Sequence, residues 1–399
     1  MEARHTLPFF TLLLMISFAS VNAVMFTPAL PDIANFFDIT HDSAQLTISW
    51  FLIGYALGQL LYGPLANRFC RKPAIYGGIS LQIISSFICV LAGIIHQYPL
   101  LVVGRLLLAL GAGVGLKMTF TLVNECYPPK TASKKISYLI LAFAITPGLS
   151  AALGGFLNQH LGWMSCFYAG AAYGFILLAL VTRLPETQLA PNYNALKWDH
   201  LLHSYGVQFK NRRLVAGALM MGTSTCFVYT FAAIAPFVAI NMLGMNSSGY
   251  GAANILPSIG LACGSLASAR LSEQFDNGPM IKIGIIIASI GVLIMLFAAW
   301  LHANAIHSIF IPMMIIYFGL SAILGNASAI AMSNVEDKSH GSAVMSFINM
   351  GSATIAVLAL GWMPVNVYLM PALFLVFCAA MYAFYRLAAT PMQSEAASY

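Results

Sequence analysis

Windows of about twenty mostly apolar residues recur almost without pause along this chain, each long enough to cross the roughly 30 Å hydrocarbon core of a bilayer as a helix. Twelve can be read, beginning near Pro8, Ser43, Pro73, Pro99, Lys134 and Gly162, then near Leu214, Ser247, Pro279, Ala305, Gly341 and Pro364. Composition agrees: 60% of the 399 residues are hydrophobic and 8% charged, where soluble domains carry about a quarter charged residues. The reading is an all-α membrane protein. The stretch from Leu7 to Ala23 also has the apolar core and SVNA ending of a cleavable signal peptide. Removing it would leave eleven spans and set the remainder against the charge pattern.

That pattern fixes the orientation. With an even number of spans and both termini on one side, sixteen of the eighteen basic residues share that side. They are Arg4, Arg68, Arg71, Lys72, Lys130, Lys134, Lys135, Arg183, Lys197, Lys210, Arg212, Arg213, Arg270, Lys282, Lys338 and Arg386. By the positive-inside rule this side is the cytoplasm, so the net charge of +6 reports topology and not nucleic-acid binding. Five of the seven cysteines, Cys89, Cys166, Cys226, Cys263 and Cys378, fall within spans; Cys70 and Cys126 face the reducing side. None has metal-ligand spacing, which argues against a disulfide framework, a metal site or a cofactor.

The longest hydrophilic stretch divides six spans from six, giving expected units 1–183 and 214–399 joined by a linker at 184–213. Within it, Trp198, Leu201, Leu202, Tyr205 and Phe209 recur at near-helical spacing among cations, the pattern of a helix lying on the membrane surface. Faint echoes suggest that the two units are repeats. GPLANRFCRKPAIYGG is answered by GSLASARLSEQFDNGPMIKIG, and FTPALP by IAPFVA.

The turn between spans two and three, YGPLANRFCRKP, resembles the loop pattern of the major facilitator superfamily through Gly63, Leu65, Arg68, Arg71 and Lys72. Asn67 stands where that pattern has Asp, and Cys70 where it has Gly. FTPALPDIANFF, GRLLLALGAGVGL, ITPGLSAALGGFL and GSAVMSFINMGSA are similar to the twelve-span drug:proton antiporters, most of all the bicyclomycin and chloramphenicol resistance (Bcr/CflA) branch. Departures are Leu108 for Gln, Ala151 for a second proline, and Val24 where the branch has an acid. The resemblance implies two six-helix bundles rocking about a central cavity, with Arg105 facing that cavity. It also implies a pair between Arg68 or Arg71 and Glu125 that latches one conformation, beside Lys72. Pro147, Gly154 and Gly155 have a plain reading as a kink and close helix packing.

Arg105 and Lys117 lie within the fourth span, where a cation costs at least about 2.5–3.5 kcal/mol and normally turns to a cavity or partner. Twelve residues of helix separate them by roughly 18 Å and about 120°. Lys117 also has a reading as a lysine snorkelling to the interface. No Asp, Glu or His falls near the middle of any span. A cavity with two cations and no carboxylate favours an anionic or zwitterionic substrate. Candidates for proton coupling are Asp32, Glu125 and Lys117, with Asp32 also readable as a cap after Pro31. Asn22, Tyr55, Gln59, Thr119, Tyr229, Asn254, Asn326 and Asn349 could complete a site, although each alone is more often glue between helices.

The expected function is secondary transport by alternating access: proton-coupled export of a small organic molecule by a monomer in the bacterial inner membrane. Uptake of a carboxylate metabolite or a metal chelator such as a siderophore is the alternative; a non-transporting membrane sensor is a remoter one. No acid pair, P-loop or nucleophile with an adjacent base points to an enzyme.

Overall fold

The computed structural model describes residues 7–188, 190–192, 198–335 and 338–389. Arg4 and Lys197 lie outside them, as do the side chains of Lys130, Lys134, Trp198, Leu201, Leu202 and Lys338. Among the described residues there is no strand. Twelve helices are long and apolar enough to cross a membrane: Phe9–Phe36, His41–Phe69, Arg71–Ile94, Tyr98–Cys126, Tyr138–Leu161, Met164–Val181, Arg212–Met242, Ser247–Leu271, Asn277–Trp300, Ile306–Met332, His340–Leu360 and Leu369–Ala388. They are called spans one to twelve below.

Most begin within two or three residues of the sequence reading. Two do not. The fifth helix starts at Pro129, where a proline suits the first turn because its missing N–H has no helical partner there. The twelfth starts at Leu369, since Pro364 lies in a loop where Asn366 turns the chain through its bond to the Tyr368 N–H. Span one is an integral helix: Met15, Ile16 and Phe18 are fully buried, and Gly115 of span four approaches so closely that a Cβ there would meet the Met15 carbonyl at 2.2 Å.

Neighbour relations repeat six spans on. Span one packs on spans four, five and six, as span seven does on ten, eleven and twelve. Span four packs on two and three, as ten does on eight and nine, and the three–six contact recurs as nine–twelve. The two sets meet through spans two with eleven and five with eight. Irregularity recurs as well. Span one is interrupted by a 3-10 turn at Thr27–Ala29, and span seven ends in a π-helical stretch, Phe237–Met242, after Pro236. These are the two segments whose sequences echo one another.

The linker helix, Trp198–Lys210, does more than rest on a lipid surface. The Tyr205 hydroxyl donates to the Leu60 carbonyl of span two at 3.0 Å, its ring meets His340 edge-on, and Phe209 packs against Phe347 of span eleven. Tyr205 and Phe209 therefore sit over the seam between spans two and eleven.

Cys70, alone between spans two and three, has φ 73° and ψ 168°. This is glycine territory, and a side chain there costs on the order of 1–3 kcal/mol. Replacing Cys70→Gly removes that strain, offset in part by the greater freedom of glycine when unfolded. The expected result is a higher Tm in detergent, by about 1 kcal/mol of added stability; an unchanged or lower Tm would show that the turn is relaxed.

Candidate functional site

Arg105 lies two turns into span four and is 1% exposed. Asn22 belongs to the last turn of the helix Phe9–Val24, whose terminal carbonyls lack helical donors; its carbonyl accepts from Arg105 Nη1 at 2.8 Å. Nε reaches the Thr47 carbonyl of span two at 3.4 Å. The guanidinium carbon stands 3.7 Å from the Phe26 ring centre and 4.4 Å from that of Phe51. Such desolvated cation–π contacts are worth about 2 kcal/mol. Nη2 has no hydrogen-bond partner among the described residues. A buried charged donor left this way carries a penalty above the roughly 1–3 kcal/mol of a neutral one.

Around it, Tyr55 stacks on Phe51, and Tyr229 of span seven lies within electrostatic range of both Arg105 and Tyr55. Among the described residues the buried Gln59 Nε2 and the buried Asn349 Oδ1 of span eleven have no hydrogen-bond partner. The other expected site residues are differently engaged. Thr119, Asn254 and Asn326 donate to carbonyls four residues back, those of Gly115, Tyr250 and Ala322. Asn22 donates to the Phe18 carbonyl and accepts from Gln82, so its side chain belongs to the interior between spans one, three and six. Gln82 also reaches Ser86 and the Gly170 carbonyl. Gln82, in the middle of span three, was missed in the sequence although the rule that selected Gln59 applies to it; Gln45, near the start of span two and buried with neither amide atom partnered among the described residues, falls outside that rule.

Lys117 is set apart from Arg105. Its Nζ donates to Ser342 Oγ of span eleven at 3.2 Å, and its stem lies beside Gly63 of span two. It thus bridges the two sets of helices at their basic end.

The opposite end is bridged too. Asn158 of span five donates to Asp32 Oδ2 at 2.5 Å and to Ser247 Oγ of span eight at 3.1 Å, and Gln159 accepts from the Ser248 N–H. Gly154 and Gly155 permit this closure. A Cβ on Gly154 would lie 1.7 Å from the Met25 carbonyl, and one on Gly155 2.3 Å from that of Ser247. Pro147 lies inside the fifth helix and lines, with Gly148, a small cavity that it shares with Thr27, Tyr250 and Tyr317.

At the basic end the expected pair is present. Arg71 Nη2 meets Glu125 Oε1 at 2.7 Å, the one salt bridge among the described residues. Asn67 replaces the customary acid by accepting from Arg71 Nη1 at 2.7 Å. Arg68 instead lies over the Phe69 ring, and Lys72 Nζ donates to the Thr182 carbonyl. Sequence reasoning missed Glu186, whose carboxylate accepts the first two N–H groups of span three, those of Arg71 and Lys72, at 2.9 and 2.8 Å. An isolated acid in a loop carries no pattern by which to find it.

Twelve candidate membrane helices among the described residues, with contacts that recur six spans on and polar links between the two sets at both ends, are the architecture of a polytopic membrane transporter. The chain matches the family model of the Major Facilitator Superfamily over residues 12–360 and belongs to that family. It is 23% identical over 353 residues to Multidrug resistance protein D of Escherichia coli, covering 87% of each chain. It is 24% identical to the Chloramphenicol resistance protein CraA of Acinetobacter baumannii, covering 79% of this chain and 76% of that one. The resemblance read from the motifs is borne out. Among solved structures, the inward-open xylose transporter XylE of E. coli superposes with a TM-score of 0.76 at 14% identity, over 98% of this chain and 97% of that one, which establishes the fold.

Because Asn158 joins three spans through one amide, Asn158→Ala should loosen the end opposite the basic one. Thr27→Cys, placed at a site that is 1% exposed, would then react faster with a maleimide in the Asn158→Ala background than in the parent. Equal rates would remove Asn158 from the closure.

Proposed function

We propose that the protein exports a small anionic or zwitterionic organic molecule across the bacterial inner membrane in exchange for protons, as a monomer with both termini in the cytoplasm. Units 1–183 and 214–399 rock about the seams formed by spans two with eleven and five with eight, carrying the linker 184–213 between them. The observation that supports this substrate class is Arg105, a buried guanidinium that, among the described residues, has no carboxylate partner and one nitrogen unspent. A carboxylate, phosphate or polarised carbonyl oxygen completes its hydrogen bonds, and Tyr55, Tyr229, Gln59 and Asn349 supply further polar contacts. The names of the resistance relatives favour export over uptake.

Coupling rests on Asp32. Its carboxylate is the acceptor through which Asn158 ties span one to spans five and eight. Lys117 and Ser342 provide the counterpart at the basic end, and Arg71 with Glu125 steadies the loop there.

Transport of carboxylates, phosphates and chloramphenicol into proteoliposomes, with and without a pH gradient, tests this reading. Arg105→Ala and Lys117→Ala should abolish transport of the anionic substrate while the protein is inserted normally. Asp32→Asn should keep exchange but lose the response to the gradient. Unchanged transport by the cation variants would end the anionic reading. Deletion cells that lose accumulation of the compound, instead of retaining it, would establish uptake.

A further inference from the structure

Span seven begins at the basic end with Arg212 and Arg213 as its first two residues, and no acid lies in its first turn. Two cations at the positive end of a 25-residue helix dipole repel it and one another. Span three begins in the same way, with Arg71 and Lys72, and there the Glu186 carboxylate accepts their two free N–H groups and sets a negative charge at the helix start. At span seven the N-cap is the neutral Asn211, whose Oδ1 accepts from the Leu214 N–H while its Nδ2 donates to the Asn334 carbonyl. With the Asn334 amide turned so that its oxygen faces the guanidinium, it accepts from Arg213 Nη1 at 3.1 Å, a neutral partner for that cation.

These residues wall a cleft of about 450 Å³ between the end of the linker helix, the start of span seven and the ends of spans ten and twelve. Lys210, Arg212 and Arg213 supply the charge, while Val207, Leu387 and Ala388 form an apolar side. Val207 and Leu387 are each about half exposed, at 51% and 47%. A soluble anion has no use for that apolar side. A lipid needs both halves: a phosphate held by guanidinium forks and a helix N-terminus, and acyl carbons laid along the apolar wall at the level where the helices leave the bilayer.

We propose that this cleft is a binding site for the headgroup of an anionic phospholipid from the surrounding leaflet, held by Lys210, Arg212 and Arg213. The lipid supplies from outside the negative charge that Glu186 supplies to span three from within the chain.

The test is lipid retention by the intact protein, read by native mass spectrometry after release from detergent micelles holding equal amounts of phosphatidylglycerol and phosphatidylcholine. The parent should keep phosphatidylglycerol preferentially. Each cation near an anionic surface contributes about a factor of five, so Lys210→Gln with Arg212→Gln and Arg213→Gln should weaken the preference on the order of a hundredfold. Arg212→Gln alone, at an exposed position, should show a loss of roughly fivefold and covers the case in which the triple variant does not fold. Removing the same kind of charge elsewhere at this end, Arg270→Gln with Lys282→Gln, should leave the preference intact. Retained preference in the variants overturns the site. A parent that melts higher in inorganic phosphate at matched ionic strength, with no added rise from phosphatidylglycerol micelles, overturns the lipid as its occupant.

Discussion

A guanidinium deep in a bundle, with water excluded, has to be solvated by the protein itself, and much of the first half is arranged to do so for Arg105. The carbonyl that it takes from Asn22 is available because span one stops being a regular helix at Val24. The 3-10 turn that follows, with Pro28 in it, brings Phe26 over one face of the guanidinium as Phe51 covers another. The irregular backbone is therefore tied to the charge. A straight helix through Thr27 would keep the Asn22 carbonyl in its own ladder and leave the cation with one acceptor fewer. Membrane interiors allow irregular backbone only where protein groups take up the released donors and acceptors, and Arg105 is such a group.

The two seams between the halves are bridged by different chemistry. Spans five and eight meet backbone to backbone, Gly155 against Ser247 and Gly251 against Ala151, and a short polar link through Asn158 closes the end. Spans two and eleven meet with a lysine reaching across to a serine and with the linker helix laid over the join. Close glycine packing is indifferent to charge, whereas the polar links at both ends respond to it. On the proposed reading, opening one end and closing the other trades a few hydrogen bonds at each, differences of a few kcal/mol.

Much of this was legible in the sequence because bilayer thickness sets a length that apolar windows reveal directly. Starts of helices were read to within a few residues wherever a cap or proline sits at the boundary. They were misread at Pro129 and Pro364, where a proline could equally open a helix or interrupt a loop. Arg105 was legible as a cost without a visible partner, and its buried place follows from that. The company it keeps was not. Asn22 was grouped with the site as an uncharged polar residue within a span, but a side chain at the end of a helix takes its direction from packing, and Gln82 on span three captured it. Tyr205 read as a membrane-surface residue because an amphipathic stripe looks the same whether lipid or another helix covers it.

The departures from the family loop pattern show how a network keeps its function while its members change. Asn67 cannot bring a negative charge to Arg71, yet its Oδ1 still accepts from that guanidinium, and its backbone carbonyl accepts from both Gln188 and Asn192. The missing charge is restored by Glu125 on one side and by Glu186 on the other. Thr187 bonds Glu125 in turn, so the start of the linker is stitched to the loop between spans two and three. Farther along, Tyr205 of the linker fastens to Leu60 of span two. The linker is thereby tied to span two at two points and leans on span eleven through Phe209. A displacement of span eleven relative to span two has to strain or release that strap. With the negative charge at Glu186 and not at Asn67's position, the linker is joined to this loop by an acid of its own.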